Sequence, residues 1–193
     1  MKTDQHLAVT ELINYWKTQN IPVVGISNEE IERVVSEGSL FLPDDFKKFY
    51  FTVNGMGPID PLKSDSKGFS FYPAQAIVTA NKKLENPISL THVLIFAAYQ
   101  TKSWWYGIEV KENGSYSIGL VSPKGTFKPI TSSLAEFIEM YLKDSPKLYD
   151  YFAMYSSYED YMMYTTELKK EVKEVKKAEA TKSILDEVMF FPS

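Results

Sequence analysis

Leu40 to Gly57 reads LFLPDDFKKFYFTVNGMG. Pro43 suits a first helical position, where its missing N–H costs nothing. Asp44 and Asp45 follow in the first turn, where the positive end of the helix dipole favours carboxylates. Phe46, Phe49, Tyr50 and Val53 recur at helical spacing and make one face aromatic. Asn54-Gly55 closes the segment, because both residues tolerate the left-handed conformation of a C-terminal cap. A start, an apolar stripe and a stop in so short a stretch predict a helix set against a core.

Upstream, Leu7, Val9, Leu12, Ile13 and Trp16 predict a helix over 4–17, ended by Asn20-Ile21-Pro22. Ser27-Asn28-Glu29-Glu30 reads as a capping box, with Ser27 as cap and Glu30 reaching back. The helix it opens carries Ile31, Val34 and Val35 and ends near Gly38.

Downstream the texture changes. Gly57-Pro58, Asp60-Pro61 and residues 64–68 are turn signals. Phe69, Phe71 and Tyr72 predict a strand closed by Pro73, and 74–84 a short helix. Val93 to Ala97 is a continuous apolar run, as a central strand would be. Trp104 to Val110 alternates: Trp104, Tyr106, Ile108 and Val110 share one face, and Trp105, Gly107, Glu109 and Lys111 the other. Tyr116, Ile118 and Leu120 alternate as well. A two-residue Asn113-Gly114 turn would set the two apolar rows on opposite faces. A three-residue loop, Glu112-Asn113-Gly114, pairs Val110 with Tyr116, Ile108 with Ile118 and Tyr106 with Leu120, and puts Gly114 at the left-handed position. That register is the expected one.

Phe127 to Ile130 predicts a further short strand. Ser133 caps a helix to about Lys143, with Glu136 three residues on and Leu134, Phe137, Ile138, Tyr141 and Leu142 as its stripe. Ser145-Pro146 opens a short helix through Phe152. From Tyr158 the chain becomes a charged helical extension; residues 159–187 hold 8 acids and 6 lysines, the lysines weighted toward the end, as a helix dipole prefers. The expected organisation is a domain over 1–157 and a C-terminal extension over 158–193.

The 193 residues are 44% apolar and 15% aromatic, which supports a sizeable core. The absence of Cys excludes a disulfide scaffold and thiolate metal sites. The start MKTDQHLAV lacks a secretory pattern, and no apolar run has the roughly 20 residues of a membrane span. A cytoplasmic protein without membrane contact is the expectation. A net charge of −4 argues against nucleic acid as the main partner and fits a basic protein better.

Catalytic chemistry leaves no mark. His6 and His92 are the only histidines and lack ligand spacing. Gly55-Met56-Gly57 follows a helix rather than a strand, so it is not a dinucleotide fingerprint. Glu29-Glu30 and Asp44-Asp45 sit in helix first turns, where dipole and capping roles account for them. No enzyme, metal or cofactor is expected. Trp105 stands out because alternation places it among polar neighbours. Either the helix over 134–142 or the tail covers that face, or Trp105 is open to anchor a partner, as interface tryptophans do.

Leu42-Pro43-x-Asp45-Phe46-x-x-Phe49 with Asn54-Gly55, the Ile95-Phe96-Ala97 and Trp105-Tyr106 strands, and Ser133-Leu134-x-x-Phe137-Ile138 together resemble the SUKH superfamily over roughly residues 27–143. The resemblance implies an α+β fold, a mostly antiparallel sheet flanked by helices. It also implies kinship with bacterial immunity proteins and a fungal cell-wall synthesis regulator. The function expected is a non-enzymatic binding protein, an immunity protein that occludes the active site of a basic toxin domain. The alternative is a regulatory scaffold of the same fold, cell-wall or stress related, with no toxin partner. The contact face expected is acidic and centred on an aromatic: Trp105 and Glu109, with Asp60 and Asp65 from the loop 56–68.

Overall fold

A computed structural model of the protein describes residues 4–38, 41–57, 64–77, 93–100, 104–122 and 126–149. The chain divides into two units, Met1–Tyr149 and Asp150–Ser193. The fold below is that of the first; the charged extension expected from Tyr158 lies outside the described residues.

Asp4 starts α1 (Gln5–Thr18): its carboxylate accepts from the N–H groups of His6 (2.8 Å) and Leu7 (3.3 Å). Ala8, Val9, Leu12 and Trp16 are buried, whereas Leu7 points outward at 58% exposure. Leu7 therefore does not belong to the stripe expected of it. α2 (Asn28–Gly38) starts at Ser27, whose hydroxyl accepts from Glu30 N–H at 3.2 Å. Only half of the capping box forms. The Glu30 carboxylate turns away to Arg33 (2.6 and 3.1 Å) and Gln75 (3.1 Å).

α3 (Asp44–Thr52) begins one residue later than the Pro43 signal suggested, with Pro43 itself the cap. Phe46, Phe49 and Tyr50 are buried as expected. Its end is not a left-handed cap at Asn54, because Val53 already turns extended. Asn54 instead accepts from Ala74 N–H through its side chain (2.8 Å), and the left-handed residue is Gly55 (φ 66°). The chain has to turn there to bring Met56 N–H to the Phe71 carbonyl at 2.9 Å.

The sheet has five strands in the order β1-β2-β3-β4-β5: β1 (Phe69–Phe71), β2 (Val93–Tyr99), β3 (Trp104–Val110), β4 (Tyr116–Val121) and β5 (Phe127–Thr131). Every pairing is antiparallel. The β3–β4 register is the expected one: Val110 faces Tyr116, Ile108 faces Ile118 and Tyr106 faces Leu120, with Gly114 left-handed at φ 78°. Before β2, residues 74–77 are helical. After β5, α4 (Leu134–Leu142) is capped by Ser133, and Pro146–Tyr149 form a 3-10 turn.

One face of the sheet carries the helices. Phe137 of α4 meets Phe96 and Tyr106 at 5.2 Å each, Trp16 of α1 meets Phe71 at 5.2 Å, and Phe46 of α3 meets Phe96 at 5.2 Å. A bulge in β2 between Ile95 and Ala97 makes this possible. Phe96 and Ala97 both lie on the helix side, the one by its ring contacts and the other by pairing with Phe71 and Tyr106. Ile95 and Ala98 fall on the opposite face, so β2 is buried on both sides.

Candidate partner-binding face

β3 sends Trp105, Gly107 and Glu109 to the face away from α4. Their cross-strand partners there are Ala98, Ile95 and Val93 on β2 and Val121, Gly119 and Ser117 on β4. Trp104, Tyr106 and Ile108 are buried on the helix side, as the alternation required. Trp105 is half-buried, packed against a cluster of Tyr72, Ala76, Val93, Ile95, Ala98 and Val121. Of the two expected covers, α4 packs on the other face and the tail lies outside the described residues; the described residues against Trp105 come from the stretch just after β1 and from β2 and β4.

The indole N–H of Trp105 donates to the Tyr72 hydroxyl. Burial pushes the Tyr72 hydroxyl up to about 12, an effect the Trp105 hydrogen bond partly offsets. The folded value lies above the ordinary value of 10.0, so this group's contribution to stability is present below pH 10 and is lost as pH rises through about 12. Tyr50, wholly buried, and Tyr116 shift in the same direction. Melting midpoints measured across the alkaline range should therefore fall between pH 10 and 12; a flat profile there would show that these hydroxyls ionise in the native state.

Gly107 faces Gly119 across β3 and β4. A Cβ on Gly119 would stand 2.3 Å from the Lys128 carbonyl oxygen and 2.7 Å from the Phe127 ring. One on Gly107 would stand 2.4 Å from a Val93 methyl. The two glycines thus let Phe127 and Val93 lie low on the strands. On this face Trp105 and Glu109 are partly exposed, about 14 Å apart along β3 at 3.4 Å per residue, while Val93, Ile95, Gly107, Gly119 and Val121 around them are buried. Gly107, Gly119 and Phe127 were legible in the register but not singled out; their signal is two glycines paired opposite each other.

Asp65 is elsewhere. It is buried in the turn before β1, on the helix side. Its carboxylate accepts from the Tyr141 hydroxyl, from Phe69 N–H (2.8 Å) and from Lys67 N–H (3.0 Å). Tyr141 accepts in turn from Trp16 Nε1 at 3.1 Å, and burial, together with the Asp65 carboxylate, pushes its hydroxyl far up. Lys67 donates to the last carbonyls of α4, Tyr141 (2.8 Å) and Leu142 (2.9 Å), where the helix dipole favours a cation. Of the four expected contact residues, then, Trp105 and Glu109 share a face, Asp65 holds the 64–68 turn to α1 and α4, and Asp60 lies outside the described residues.

Among the described residues no group of three or more His, Asp or Glu is placed to hold a metal ion. No helix among them is long and apolar enough to cross a membrane. No curated protein matches the chain. The model of the SMI1 / KNR4 family (SUKH-1) matches residues 25–140, from the strap before α2 into α4, and the chain therefore belongs to that family.

Proposed function

We propose that this protein is a cytoplasmic, non-enzymatic immunity protein. It binds a basic toxin domain and covers the toxin's active site, without metal or cofactor. The observation that carries the reading is the half-exposed Trp105 on the same face of β3 as the partly exposed Glu109, in a chain of the SUKH-1 family. The indole supplies apolar area, and Glu109 supplies the sign of charge that steers a basic surface. Asp60, expected in the same contact set, lies outside the described residues. Asp65 does not belong to that set, since its carboxylate is taken by internal donors.

The test is co-expression with the product of an adjacent reading frame. The expected result is a stable complex and loss of the partner's activity. Glu109→Lys should weaken the complex by about tenfold or more while leaving the melt unchanged. Trp105→Ala should weaken it by about thirtyfold, with some loss of stability because Trp105 also packs on Tyr72 and Val121. Binding like the parent by both variants would place the contact elsewhere. The competing reading, a regulatory scaffold, rests on the same family match; a cell-wall or stress defect on deletion, with no neighbouring toxin, would favour it.

A further inference from the structure

Residues 22–26 run as a strap along the end of α3. The Val24 carbonyl accepts from Asn54 N–H (2.8 Å), and Ile26 N–H donates to the Tyr50 carbonyl (3.1 Å). The approach is so close that position 25 admits only glycine: a Cβ there would stand 1.9 Å from the Phe51 carbonyl oxygen. Between this strap, the turn after α3 and the stretch after β1 lies a groove of about 470 Å³. Pro22, Val24, Ile26 and Pro73 line it with apolar surface. Val24 is 69% exposed, and Phe51, next to the strap, 55%. Scattered exposed apolar residues are ordinary, but here two adjoin a preformed apolar groove.

The polar groups of the groove already have partners. Asn54 accepts from Ala74 N–H and donates to Gln75 Oε1 (3.1 Å); Gln75 Nε2 donates to Glu30 (3.1 Å), which Arg33 also holds. An occupant therefore gains little from hydrogen bonding inside the groove and most from apolar burial. The chain of bonds leads out to α2, which carries Glu29, Glu30, Glu32 and Glu37; Arg33 pairs with Glu30 and Glu37, and Lys47 of α3 pairs with Glu32 at 2.8 Å. With Lys47 counted, these groups still leave an excess of carboxylates on α2, joined to the groove through Glu30 and Gln75.

We propose that the groove is a protein-docking site separate from the Trp105 face, taking an apolar side chain flanked by Lys or Arg on an exposed segment of the partner. The proposal rests on reading the chain as a protein-binding domain. It assigns the apolar anchor to the groove and the basic flank to the acidic α2 helix, which would also speed association at low salt.

The test is selection of a random peptide library against the full chain. Enriched peptides should share an apolar residue next to Lys or Arg. Val24→Ser, at a position exposed enough to leave the melt unchanged, should weaken them by about tenfold. Glu29→Gln with Glu32→Gln should weaken them further at low salt than at high salt, and Glu109→Lys should not affect them. Peptides lost with Glu109→Lys but indifferent to Val24→Ser would overturn the groove and leave the protein-binding reading standing. Acidic peptides, or none, would overturn it as well, with the toxin reading then judged by co-expression alone. A concentration-dependent dimer abolished by Val24→Ser would overturn it in favour of a second copy of this chain.

Discussion

Phe137→Ala is expected to cost about 3–5 kcal/mol of stability, the range for an aromatic truncated in a packed core. Phe137 is fully buried on α4 and meets rings from three strands: Phe71 at 6.2 Å, Phe96 at 5.2 Å and Tyr106 at 5.2 Å. Truncation removes its own burial and leaves the three strand rings facing a void. Because these rings are held by separate strands, they cannot collapse together into the gap, which favours the upper part of the range. Chemical denaturation of the full chain gives the number. A loss under about 1 kcal/mol, the scale of a surface change, would mean that α4 does not pack on the sheet as described.

Asp65→Ala is expected to cost about 2–5 kcal/mol, by a different mechanism. It strips the acceptor from the Tyr141 hydroxyl and from Phe69 N–H, and each buried donor left unpaired costs about 1–3 kcal/mol. Asp65→Asn keeps one acceptor oxygen and should recover a good part of the loss. Tyr141→Phe removes the hydroxyl together with its need for a partner, so combining it with Asp65→Ala should cost less than the two single losses added. Strict additivity in that cycle would show that Asp65 and Tyr141 do not act as a unit. Neither Asp65 variant should touch the Trp105 face, so binding of a cognate partner by any folded fraction should be unchanged. A specific loss of binding with an intact melt would return Asp65 to the contact set.

Asp65 shows where sequence reasoning stops. In SDSKG it looks like an exposed turn acid, and turn acids are usually solvated. Its partner Tyr141 is 76 residues away, and Trp16, which completes the network, is 125 residues from Tyr141. Trp105 was half legible. Alternation along β3 correctly separated it from Trp104, yet its cover comes from Tyr72 and Ala76, which approach only because the sheet places β1 next to β2. The groove was not legible at all, since its walls come from segments some 50 residues apart.

What the sequence determined by itself is what local energetics determines. Caps and apolar spacing set α1, α2, α3 and α4, period-two alternation set β3 and β4, and a three-residue loop with Gly114 set their register. Each of these choices is made within a few residues, where moving the pattern by one position would turn an apolar row to the wrong face. The tertiary structure decided the bulge that gives Phe96 to the helices, the release of Glu30 from its cap to Gln75, the burial of Asp65 and the strap against α3. In each case a side chain or backbone group had more than one local option of similar energy. The option taken was set by a partner that the fold brought in from far along the chain.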